Sequence, residues 1–159
     1  MVKVTNDKVE GFRRFLNLVE ARKVRETQFG FDFYEAPYQN EAFANAPGLF
    51  AISMKAPEAG HLIAVSTEIP EEFRKFWAIH EHLEEDKPEY RGRCVDTVRQ
   101  ELVLVPETQK RRYIPLRARF FRGMVDYAKA NSEHFNSAQV ENFEMSRDYL
   151  NQLERSLRE

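Results

Sequence analysis

Residues Gln28–Tyr34 read QFGFDFY. Phe29, Phe31 and Phe33 alternate with Gln28, Gly30, Asp32 and Tyr34. A period of two, with aromatic rings on one side, is the pattern of a strand that buries one face. This stretch decides the fold class, because the sequence around it is dominated by helical spacing.

Working outward, Glu35–Gly48 carries Pro37 and Pro47 among alanines and asparagines and reads as a loop. Leu49–Lys55 and His61–Glu68 are expected as two more strands, joined through Ala56–Gly60 as a hairpin. On the N-terminal side, Val9, Phe12, Phe15, Leu16 and Val19 recur at helical spacing. They predict a first helix over about Asp7–Arg25, with Asp7 and Glu10 spaced as a capping box.

Beyond the strands the chain turns helical again. Pro70–Asp86 has the apolar stripe Phe73, Phe76, Trp77 and Leu83, with Pro70 suited to a first turn and Pro88 setting the end. About Gly92–Val105 forms a third helix on Cys94, Val95, Val98, Leu102 and Val105, although Glu101–Val105 also reads as a short strand. Pro115 is expected to open a fourth helix, to about Ala130. An Asn-Ser capping signal precedes the last, Ser137–Leu157, so that residues 137–159 make a long C-terminal helix. The expectation is an α+β fold in one domain, 1–159: about five helices, with a small three-stranded antiparallel sheet inserted after the first helix.

Composition narrows the function classes. With 42% apolar residues and 13 Phe among 159 residues, the chain can build a core and is not of the disordered type. A net charge of −2 argues against whole-domain electrostatic binding of nucleic acid. The single cysteine, Cys94, allows no disulfide within the chain and no multi-cysteine zinc site. No apolar run approaches the length of a membrane span and no signal-peptide pattern opens the chain. A small soluble cytoplasmic protein without a membrane partner is the expectation.

The candidate site comes from polar intrusions. At about 100° per residue His80 falls within the second helix's apolar stripe, and Glu84 lies one turn on. Glu101 edges the stripe of the third helix, and Arg117 lies among Ile114, Phe121, Met124 and Ala128 on the fourth. Buried ionisable groups need partners. One reading is a buried network of His80, Glu84, Glu101 and Arg117, in which arginine pairs with a carboxylate in the bidentate manner. Another is a metal centre with His80, Glu84 and Glu101 as ligands, suited to zinc, manganese or iron, and Glu81 activating water. The string His80-Glu81-His82-Leu83-Glu84 departs from the zinc-peptidase pattern H-E-x-x-H at its last position. A third reading has His80 as a metal-free general base. His82 projects off the stripe and is expected at the surface.

Two further features suggest partners. Phe143, Leu150, Leu153 and Leu157 form a narrow heptad-like seam suited to a homodimer or a partner protein. Lys110, Arg111, Arg112, Arg117, Arg119 and Arg122 are the one basic concentration, which a solvated helix face explains better than RNA binding around Arg112. The leading expectation is a binding or interaction module without a complete catalytic constellation. The alternative is a metal-dependent hydrolase built on His80, Glu84 and Glu101, with Glu81 as base.

Overall fold

The computed structural model describes residues 2–37, 49–56 and 60–159. The element order among these is α1 (Val2–Leu18), β1 (Arg22–Glu26), β2 (Phe31–Ala36), β3 (Ala51–Ala56), β4 (Gly60–Ser66), α2 (Glu71–Glu85), α3 (Arg93–Leu104), α4 (Glu107–Ala130) and α5 (Ser137–Ser156). The class is α+β. Two compact units divide the chain, Met1–Glu85 and Asp86–Glu159. No described helix is long and apolar enough to cross a membrane. Most of the expected loop 35–48, from residue 38 on, and the centre of the hairpin connection, 57–59, lie outside the described residues.

The first unit corrects the expected sheet. It has four strands in the order β1-β2-β4-β3, and it is mixed: β1–β2 and β3–β4 are antiparallel, while β2 and β4 run parallel. The extra strand, Arg22–Glu26, overlaps the end of the span Asp7–Arg25 that helical spacing predicts as the first helix. That helix begins at Val2, so Asp7 lies inside it, and it stops at Leu18. Its end is a Schellman motif: Ala21 N–H donates to Leu16 O at 2.8 Å, Glu20 N–H donates to Asn17 O at 3.1 Å, and Glu20 takes φ 55°. Glycine usually marks that left-handed position, and here a glutamate occupies it.

β4 is central, and Leu62–Ser66 are all buried, which explains why its polar–apolar alternation is blurred. One sheet face carries Tyr34, Ala36, Leu62 and Ala64 and packs with Phe12 and Leu16 of α1 and with Val19 just after it. The opposite face meets α2, and it does so through the helix's polar side. Arg74 Nη1 donates to Glu35 at 2.7 Å, the His82 ring stacks on Phe31 at 4.2 Å and 8°, and Ser53 Oγ donates to Glu85 at 3.1 Å. Phe73, Phe76, Trp77 and His80 lie on another side of the helix and are buried as well. His82 is therefore a packed residue and not the solvated one the apolar stripe implied.

In the second unit α4 and α5 run antiparallel. Arg122 reaches Asn151 at 2.7 Å and Glu154 at 3.0 Å, and Lys129 reaches Glu144 at 3.3 Å. α3 runs alongside α5 in the same direction: Gly92 N–H donates to Asn142, and the Arg99 guanidinium lies 4.8 Å from the Tyr149 ring centre. α3 stays helical to Leu104, so its end is not a strand. α4 begins at Glu107, well before Pro115, which sits in its interior. Pro106 takes the opening role instead. Pro115 removes one backbone donor, yet the helix continues past it, held by buried Tyr113, Ile114 and Arg117 on either side.

Candidate functional site

In the first unit His80 and Glu84 are one turn apart on α2, with His80 Nε2 3.3 Å from Glu84 Oε2. His80 is 4% exposed, and the Glu84 side chain is 21% exposed. Glu81 is part-buried and a quarter-turn away around the helix. The helix alone brings His80 and Glu84 together, as the i, i+4 spacing requires.

In the second unit Glu101 and Arg117 form a bidentate pair. Arg117 Nε donates to Glu101 Oε2 and Nη2 donates to Oε1, both at 3.0 Å. The Tyr113 hydroxyl donates to the same carboxylate. Tyr113 precedes Arg117 by one turn, a spacing visible in the sequence, but its hydroxyl gave no sign of having a buried acceptor. All three side chains are buried, and the guanidinium also lies 5.0 Å and 5.3 Å from the ring centres of Phe121 and Phe120.

Burial, followed by the Glu101 charge, pushes the Tyr113 hydroxyl well above its ordinary pKa. Burial alone would lower the Arg117 pKa, but the Glu101 carboxylate outweighs it and the net shift is upward. The group is thus a neutral phenol on a carboxylate–guanidinium pair. Both Glu101 oxygens are engaged by internal donors. To ligate a metal Glu101 would have to give up those bonds, beside a fixed positive charge that repels a dication.

The partner seam and the basic segment are largely taken up by the second unit itself. Leu150 is fully buried, and the Phe143 ring packs edge-on against Phe135 at 6.1 Å. Leu153 and Leu157 are half-buried. Arg117 is buried and Arg122 is paired with Glu154, which removes two of the six basic side chains from a continuous surface.

A cleft of about 280 Å³ in this unit had no counterpart in the sequence reading. It lies where the first turns of α3 and α5 approach each other, and Tyr90, Arg91, Arg93, Asn136 and Glu141 line it. α5 is closed by a capping box between Asn136 and Gln139. α3 has no side-chain cap of its own. Its amides are served across the cleft by Asn142 Oδ1, which accepts from Gly92 N–H at 3.1 Å and from Cys94 N–H at 3.5 Å. Gly92 suits this geometry because its φ of 91° is left-handed.

Asn142→Ala is expected to cost about 1 kcal/mol, the usual value of a helix cap, and to speed amide hydrogen exchange in the first turn of α3. Unchanged exchange there would show that the cap does not hold the helix end.

Electrostatically the cleft is mixed. Arg91 Nη2 lies 2.7 Å from Glu141 Oε1. The Tyr90 hydroxyl donates to Asp96 at 2.8 Å. Arg93 is half-buried, and among the described residues its guanidinium has neither a hydrogen bond nor an ion pair. Glu89 lies on the rim and is exposed. Cys94 is buried and not in a disulfide, and its backbone amide meets the Asn142 cap. Comparison of the chain with known protein families, curated proteins and solved structures found no match.

Proposed function

We propose that the chain is a binding module whose cleft beside α3 and α5 takes a small ligand bearing a carboxylate or phosphate group. The observation that carries this reading is the Arg93 guanidinium. Arg93 is half-buried and lines a ligand-sized cleft, and its guanidinium has no internal acceptor among the described residues. An arginine in that position offers a planar set of donors to an anionic oxygen pair. The Arg91–Glu141 pair cancels and Glu89 offsets Arg93, so the cleft carries no excess of positive charge, which suits a compact anion better than the extended charge of a nucleic-acid backbone.

The metal-dependent hydrolase reading has less support, since Glu101 is engaged by Arg117 and Tyr113. Association through the last helix also has less, since Leu150 is buried. A single cysteine outside any disulfide suits a cytoplasmic setting.

The test is a titration with inorganic phosphate and with succinate at constant ionic strength, following the amide and Arg93 side-chain resonances by NMR. Saturable shifts confined to the first turns of α3 and α5 are expected. Arg93→Gln should weaken binding roughly tenfold, the worth of one charged hydrogen bond. Shifts that are absent or non-saturating, or an affinity unchanged in Arg93→Gln, remove the reading.

A further inference from the structure

At one end of the first unit's sheet, on the face that meets α2, two phenylalanine rings lie beside a pair of histidines. His61 opens β4 and His82 lies in the last turn of α2; their ring centres are 5.3 Å apart with planes at 64°. His82 is held flat on Phe31 at 4.2 Å and 8°, and Phe29 lies 6.2 Å from it at the exposed rim. Both histidines are half-buried, so the pair is reachable from solvent without being loose.

We propose that His61 and His82 form a two-histidine site for a divalent transition metal of the copper or zinc type. Two imidazoles bound tetrahedrally to one ion, each with a metal–nitrogen distance of about 2.0–2.1 Å, bring their ring centres to roughly 5 Å. The observed separation of 5.3 Å matches that value. Each imidazole has two nitrogens, so a ring that keeps one for a neighbouring hydrogen bond still offers the other.

Stacking on Phe31 fixes the plane of His82 before the ion arrives, while the broad χ2 well of histidine lets His61 adjust. Water completes the coordination sphere. Near the pair lie Lys55, directly across the β3–β4 register from His61, Glu26 across from Phe31, and Glu85 three residues on from His82. Two neutral nitrogen donors select copper over zinc, and either over magnesium or calcium.

The test uses the full chain without a histidine tag. Calorimetric titration with Cu²⁺ and Zn²⁺ is compared for wild type, His61→Gln, His82→Gln and the exposed control His134→Gln. One equivalent of metal is expected for wild type and His134→Gln, with copper the tighter. At least tenfold weaker binding is expected in each of the other two variants. The copper-loaded wild type should show two nitrogen couplings by electron paramagnetic resonance.

His82→Gln also removes a packed ring, so His61→Gln, at the start of a strand, is the decisive variant, with circular dichroism confirming its fold. No binding by wild type, or wild-type affinity in His61→Gln, overturns the proposal. So does an equal loss in His134→Gln.

Discussion

Arg117→Met is expected to destabilise the chain by about 3–5 kcal/mol, the cost of leaving one member of a buried ion pair without its partner. The side chains of Arg117 and Glu101 are 2% and 0% exposed, and both guanidinium-to-carboxylate bonds are 3.0 Å. Once the guanidinium is gone, Tyr113 alone faces the buried carboxylate, and the group escapes its desolvation by taking up a proton. The folded pKa of Glu101 in the variant then lies above its unfolded value. Its penalty grows as pH rises from the unfolded pKa to the folded one and shrinks as pH falls, so the variant should lose less at pH 5 than at pH 8.

Removing the whole polar group should be far milder than removing one member. Adding Glu101→Leu and Tyr113→Phe to Arg117→Met is expected to recover most of the loss, since well-packed apolar replacements of buried ion pairs are often neutral. Urea denaturation at both pH values checks this. A loss under about 1 kcal/mol for the single variant would mean that solvent reaches Glu101 and that the pair is not a sealed structural element.

The contrast between this cluster and the rest of the chain shows which physics the sequence exposes. Arg117 was legible because a charge in the middle of an apolar helical face has few outcomes other than pairing. The fold class was legible from the alternation at Phe29, Phe31 and Phe33 and from the helical spacing elsewhere. β1 was not, since RKVRE has one apolar residue. An edge strand is kept soluble by such charge, and it is held here by cross-strand pairs such as Arg25–Asp32 at 3.3 Å. The parallel pairing of β2 with β4 was hidden because strand order is set by tertiary packing, whereas local spacing records only which faces are buried.

α2 misled for a different reason. Periodicity locates the most apolar face of a helix, and a residue off that face, such as His82, then reads as solvated. Arg74, His82 and Glu85 meet the sheet instead, each matched by a polar or aromatic partner, while the apolar stripe is buried as well. A helix enclosed on more than one side cannot be oriented from its hydrophobic face alone. The cleft was invisible for a related reason: Arg93 and Asn142 are far apart in sequence and meet only when α3 lies along α5.

The partner that α2 finds on the sheet leads to the second large effect. Glu35→Gln is expected to lower stability by about 2–3 kcal/mol at pH 7, since it weakens charged hydrogen bonds to two arginines. Glu35 Oε1 accepts from Arg22 Nε at 3.0 Å and from Nη2 at 2.6 Å, and Oε2 accepts from Arg74 Nη1 at 2.7 Å. Arg74 also donates to the carbonyls of Ile69 and Thr67 at 2.8 Å and 2.9 Å, so one guanidinium ties the β4–α2 connection to β2. Burial alone would raise the Glu35 pKa. The bonds from Arg74 and Arg22 overcome it and hold the carboxyl below the ordinary carboxylate value.

The sign of the pH dependence follows from that depressed pKa. The stabilisation is full above the unfolded carboxylate pKa and is lost as pH falls through the folded one. The stability difference between wild type and Glu35→Gln should therefore stay flat from pH 8 to about 5.5, since the ordinary glutamate pKa is about 4.3. It should then narrow at lower pH. Arg74→Met should lose stability with the same acid-side narrowing, while the exposed Arg22→Gln should lose less. Urea midpoints measured across this range decide the matter. A difference that stays constant down to pH 3 would place the loss in packing, and not in the charge of Glu35.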